Sequence, residues 1–251
     1  MPLKIRIPDD NYWKEQIKCQ YACPVQTDAR GYVRALAEGN FEKAYLIARA
    51  PNPLASICGR VCGAPCEAAC RRGSIDQSIS IRGLKRSAIE GSHASVLKPL
   101  ELVRKISLSL SERNCTGIDD LGCFLDSIDQ GTFGKAQGKS IGIIGSGPAG
   151  LAAAHDLAIM GFSVMVYEME PVPAGMLYLG VPEYRLPRKL IEAEVDVIRA
   201  LGVEIVTNCT VGDDVMLAEL KETHDAVVIA VGCKRSRSLP LPGSEAEGVL
   251  G

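Results

Sequence analysis

The sequence predicts a small all-α domain that carries cysteines, followed by an α/β Rossmann-like domain that is incomplete at its C-terminus. Three observations predict this. Six cysteines fall between Cys19 and Cys70, as C-Q-Y-A-C-P from Cys19 and C-G-R-V-C-G-A-P-C-E-A-A-C from Cys58. The segments that flank them carry apolar residues at helical spacing. From Ser140, short apolar runs alternate with helical patterns, and the first run leads into Gly145-Ser146-Gly147-Pro148-Ala149-Gly150. That is the βαβ rhythm of a doubly wound parallel sheet. The expected divisions are residues 1–91 for the helical domain, 92–139 for a helix and linker, and 140–251 for the first part of the Rossmann-like domain.

The elements follow in order. Residues 1–17 read as an irregular arm. Thr27-Asp28 can cap a helix, because their side-chain oxygens can accept from free backbone N–H groups. Val33, Leu36 and Ala37 then recur at helical spacing, and Gly39 is a stop. Asn40 restarts a helix through Phe41, Ala44, Tyr45, Ile47 and Ala48, which Pro51 and Pro53 end. A cysteine loop follows, then a helix from Ile81 to Glu90, stopped by Gly91. Val96–Leu110 reads as one helix and 111–139 as a linker rich in Gly, Ser and Asp, with Cys115 and Cys123 as ordinary cysteines. Strands are expected at Ile141–Ile144, Ser163–Tyr167, Val203–Val206 and Asp225–Val231. Helices are expected at Gly150–Met160 and Lys189–Leu201.

Composition bounds the function. With 28 basic and 30 acidic residues the chain lacks the strong positive field that general nucleic-acid binding needs. Arg71-Arg72 and Lys85-Arg86 are small basic clusters that could steer a small anionic partner, or simply face solvent. The N-terminus shows no signal-peptide core, and the longest apolar stretches are of strand length, so no membrane span is expected. A cytoplasmic location follows, where thiols stay reduced and a cysteine cluster points to metal rather than disulfides.

Thiolates are soft ligands that select iron–sulfur clusters or zinc. Zinc sites usually pair ligands as C-x2-C knuckles. Here the spacing is x3 and Pro24 follows Cys23, and a cysteine–proline step is a common end to an iron–sulfur ligand run. Buried small hydrophobes are the bland alternative. In the glycine loop, Gly145 permits the tight turn, Gly147 lets backbone approach a pyrophosphate, and Gly150 allows close helix–strand packing. The following helix N-terminus, at Pro148-Ala149, would offer free N–H groups to phosphates. Glu168 ends the second strand where an acid can bind a ribose hydroxyl, and its charge would repel a 2′-phosphate.

C-x3-C-P, N-F-E-K-A-Y, P-N-P-L, I-C-G-R-V-C, C-E-A-A-C and S-I-R-G-L-K-R together resemble the N-terminal iron–sulfur domain of the glutamate synthase small-subunit family. That family includes the N-terminal part of dihydropyrimidine dehydrogenase. The likeness covers residues 18–91 and 140–251. It implies a [4Fe–4S] cluster on Cys19, Cys23, Cys66 and Cys70. Typical members hold a second cluster, with ligands from an earlier C-x2-C pair, the cysteine at Cys62 and a downstream Gln or Glu. This chain has no cysteine before Cys19, a short gap from Cys62 to Cys66, and Lys85 at the downstream position. One cluster is therefore expected, with Cys62 a spare or substitute ligand and Cys58 packed nearby.

For the second domain the resemblance implies FAD. Ser146 and the rest of the loop would hold it, Gly175 and Met176 would line the flavin side, Arg185 would reach the cofactor, and Val211 would meet the adenine end. A surface cation beside Glu183 is the other reading of Arg185. The histidines carry no catalytic motif. The family completes its FAD domain after an NAD(P)H-binding insertion, and this chain stops about where that should begin, so it is expected to be the N-terminal portion of a longer protein. The implied function is NAD(P)H oxidation through FAD to the cluster and on to a redox partner subunit or a ferredoxin-like protein. The alternative is a non-catalytic electron-wiring or assembly subunit.

Overall fold

The computed structural model describes residues 16–92, 138–233 and 241–244, with isolated positions 8, 9, 12, 101, 246 and 247. Cys115, Cys123, nearly all of the helix expected over Val96–Leu110 and most of the 111–139 linker lie outside the described residues.

The first region is helical. After the short α1 (Lys18–Tyr21), α2 (Ala29–Ala37) starts at Asp28, whose carboxylate accepts from the Gly31 N–H at 2.8 Å. Gly39 ends it at φ +75°, a conformation glycine adopts without strain. α3 (Phe41–Arg49) starts at Asn40, whose side chain accepts from the Lys43 N–H at 3.0 Å. α6 (Ile81–Gly91) closes the region, burying Ile81 and Ala88 against Tyr32, Ala35, Ala44, Ile47 and Ala48.

The cysteine segment differs from the loop expected there. α4 (Ala55–Val61) and α5 (Pro65–Ala68) flank a tight corner, and a 3₁₀ turn covers Arg71–Ser74. Ala55 and Ile57 are buried and give α4 an apolar face. A continuous helix is blocked at the corner: Cys62 is extended, Ala64 sits at φ +53°, and Pro65 opens the next helix without an N–H to donate.

The second region is a four-stranded parallel sheet in the order β3-β2-β1-β4. Its elements are β1 (Ser140–Ile144), α7 (Pro148–Ile159), β2 (Ser163–Tyr167), α8 (Met176–Leu179), α9 (Arg188–Ala200), β3 (Glu204–Val206), α10 (Leu217–Thr223) and β4 (Ala226–Ile229). β1 is central, with Gly142 opposite Met165 on one side and Val227 on the other. Strand β4 ends at Ile229, two residues short of the expected strand. Helices α8 and α10 have too few residues to show a helical period in sequence.

The two regions share one core. Tyr45, Leu54 and Ile57 join Ile143, Val166, Ile191 and Ile198 in a single apolar cluster. Within this contact Arg49 of α3 forms an ion pair with Glu194 of α9, their side chains 1% and 3% exposed. The Ser56 N–H, on α4, donates to the other Glu194 oxygen at 3.0 Å. Among the described residues no helix is long and apolar enough to cross a membrane.

Candidate cofactor sites

At the C-terminal edge of the sheet lies a cleft of about 670 Å³. That is within the size range of small-molecule and cofactor sites. Its floor is the β1–α7 loop. Gly145 has φ +99°, and a Cβ there would stand 2.6 Å from the Ala230 carbonyl oxygen. A Cβ on Gly150 would run into the Gly145 carbonyl oxygen. Gly147 has nothing within 4 Å of its Cβ position, so its backbone faces open space at the start of α7. The first N–H groups of α7 have no partners within the helix and point toward the loop. These features fit a dinucleotide pyrophosphate.

The predicted cofactor residues divide into two groups. Gly145, Gly147, Pro148, Ala149, Glu168, Gly175, Met176 and Val211 line the cleft. Ser146, Gly150 and Arg185 do not. Ser146 is fully buried: its N–H and hydroxyl both donate to Glu168, at 2.8 and 2.6 Å, and its oxygen accepts from the Ala174 N–H at 3.2 Å. It braces the loop against the end of β2. Gly150 has a packing role beneath the loop. Arg185 is exposed on the turn before α9.

Glu168 is itself buried, and its second oxygen accepts from the Glu170 N–H at 2.9 Å. A carboxylate oxygen has two lone pairs, so capacity for a ribose hydroxyl is retained. Cys209 and Cys233 also line this cleft. No sequence motif marks them, because their approach depends on the β2–β3 crossover and the end of β4.

The cysteines form two sets. Cys19, Cys23, Cys58, Cys62 and Cys66 line a small inner cavity with Thr27, Tyr32 and Lys85. Cys70 is not among them. It lines a separate outer cavity with Cys19 and the exposed Arg71 and Arg72. Of the expected quartet, Cys19, Cys23 and Cys66 line the inner cavity together with Cys62, and Cys19 and Cys70 line the outer one. The cause is the corner at Ala64-Pro65, which turns α5 so that Cys66 points in and Cys70 leaves from the far end.

Electrostatics agree. Burial raises the Cys66 thiol above its usual range, and the neighbouring Cys23 and Cys62 charges add to the rise. Burial also works against a Cys23 thiolate, but bonds from the Thr27 backbone and hydroxyl, helped by the Val25 backbone and Lys85, outweigh it and lower the thiol. Thr27 thus faces Cys23, and only Asp28 caps the helix. The Cys62 sulfur accepts from the Ala64 N–H at 3.3 Å. Cys70 is lowered chiefly by the Ile79 backbone, outside the inner set. Among the described residues no three Cys, His, Asp or Glu side chains are gathered tightly enough for one metal ion. A zinc ion needs its sulfurs about 2.3 Å from a single centre.

Residues 14–96 match the family described as dihydropyrimidine dehydrogenase domain II, 4Fe-4S cluster. Residues 139–251 match the pyridine nucleotide-disulphide oxidoreductase family. Similar proteins carry both parts. The beta subunit of NADP(+)-dependent formate dehydrogenase of Moorella thermoacetica is 38% identical over 90% of this chain and 31% of its own length. The beta subunit of NADPH-Fe(3+) oxidoreductase of Geobacter sulfurreducens is 34% identical over 90% of this chain and 30% of its own. The small chain of glutamate synthase [NADPH] of Azospirillum brasilense is 32% identical over 90% of this chain and 41% of its own.

The chain thus carries these two domains in succession and is similar along most of its length to subunits of iron–sulfur and pyridine-nucleotide oxidoreductases, the glutamate synthase small chain among them. The two matched domain families indicate a [4Fe–4S] cluster for the helical region and FAD for the α/β region. The thiol cavity and the glycine-floored cleft fit them in the chemistry of their lining residues. This chain spans between about 30% and 41% of the length of these relatives.

Proposed function

We propose that this chain is the cluster- and flavin-bearing part of an NAD(P)H-dependent oxidoreductase that delivers electrons to a partner redox subunit or a ferredoxin-like protein. When bound, FAD supplies hydride acceptance from NAD(P)H and release of single electrons, and the [4Fe–4S] cluster carries them one at a time. The protein residues hold and orient. Gly147 and the α7 N-terminus present backbone donors to the pyrophosphate. Glu168, held by Ser146, meets the ribose. Gly175 and Met176 border the flavin side, and Val211 the adenine side. Cys23, Cys62 and Cys66 ligate the cluster, with Cys19 in the fourth position.

The observation that carries this reading is the shared core. The cluster region and the flavin region are packed together through Tyr45, Leu54 and Ile57, and the buried Arg49–Glu194 pair fixes their orientation. Electron transfer between two cofactors needs such a constant separation. A cytoplasmic setting suits reduced thiols. The test is anaerobic purification of the full-length protein, followed by addition of NADH or NADPH. Bleaching of the flavin band, then appearance of a reduced-cluster paramagnetic signal, is expected. A flavin that neither donor bleaches would remove the dehydrogenase reading and leave an electron-wiring subunit.

A further inference from the structure

Lys85 is a buried cation of the helical region. It lies on α6 and is only 9% exposed. Among the described residues no carboxylate pairs with it. Its ammonium lies 5.9 Å from the centre of the Tyr32 ring and borders the cavity that Cys23, Cys62 and Cys66 line. An ammonium taken out of water without a counter-charge is strongly disfavoured. The Tyr32 ring face returns only a part of that. The remaining compensation has to come from the cavity, which five cysteines line.

Protonated lysine offers three donors and no acceptor, so it cannot ligate iron. It can neutralise a negative cluster and donate hydrogen bonds to its sulfurs. Each reduction adds one electron, and so one negative charge, beside this fixed positive one. Charge and hydrogen bonds to sulfur set the potential of such clusters over a wide range. We propose that Lys85 is the built-in counter-ion of the cluster, a residue that raises its reduction potential and so makes it a better electron acceptor from the flavin. This rests on the cluster reading above and extends it to a residue outside the ligand set.

The experiment is a potentiometric titration of the full chain with its cluster loaded, followed by paramagnetic resonance of the reduced cluster. Lys85→Met should shift the reduction equilibrium at least tenfold toward the oxidised form, about 59 mV for one electron. Lys85→Arg, which keeps the charge, should restore a midpoint close to the parent's. An unchanged midpoint in Lys85→Met, or equal shifts in the Met and Arg variants, would overturn the proposal. If the Met variant does not retain its cluster, Lys85→Leu, which is neutral and has no donor or iron-ligating atom, carries the same expectation. A parent chain without any iron–sulfur signal would instead defeat the cluster reading itself.

Discussion

The two regions build their sites from different parts of the chain. The α/β cleft is made of backbone: a glycine at positive φ, a second beneath the following helix, and the free N–H groups where α7 begins. The thiol cavity is made of side chains from five helices, α1, α2, α4, α5 and α6, and the corners that bring them together. A backbone site needs particular residues at consecutive positions, so it has a compact motif. A side-chain site depends on how each helix is turned, and spacing along the chain says less about which residues meet.

The largest effect that could break this contrast is loss of the cluster. Cys62→Ser should abolish it, while Cys70→Ser should leave iron content and visible absorbance nearly intact. The opposite result would restore the ligand set implied by the resemblance. Next comes the joint between the regions. Removing one partner of a buried ion pair leaves an uncompensated charge, so Glu194→Leu should destabilise by about 3–5 kcal/mol in denaturant unfolding. The double variant Arg49→Met/Glu194→Leu should recover most of that, because no lone charge remains.

A smaller effect tests the backbone site. Gly150→Ala forces a Cβ onto the Gly145 carbonyl, and overpacking of this kind costs about 1–3 kcal/mol. Thermal unfolding should show it, together with weaker flavin retention. The smallest concerns His155, on α7. Burial holds its pKa below the usual histidine value, Arg49 adds to this, and a bond to Asp156 opposes it. The folded state therefore binds fewer protons than the unfolded chain. Its stabilising share is present at neutral pH and is lost as pH falls below about 6.5, the unfolded value. His155→Gln should flatten that acid-side decline in an unfolding series.

The legibility of the sequence followed the same division. The caps at Asp28 and Asn40, the stop at Gly39 and strands β1 and β2 could be read because each depends on residues a few positions apart. The cysteine segment was expected to be a loop, since α4 and α5 are too short for a clear period. Ser146 belongs to the glycine motif, yet its hydroxyl turns away from the cleft to Glu168. Thr27 looked like half of a cap, and instead it meets Cys23.

By itself, the amino-acid sequence determined the fold order and the presence of a thiol-rich site and a dinucleotide loop, because glycine spacing, capping residues and apolar periods act locally. Only the tertiary structure decided which cysteines share a cavity, that Lys85 is buried among them, and that Arg49 and Glu194 join the two regions. Those outcomes depend on the corner at Ala64-Pro65 and on contacts between residues as far apart as 145 positions. No local pattern records such contacts, because burial and charge pairing are settled only when the helices pack.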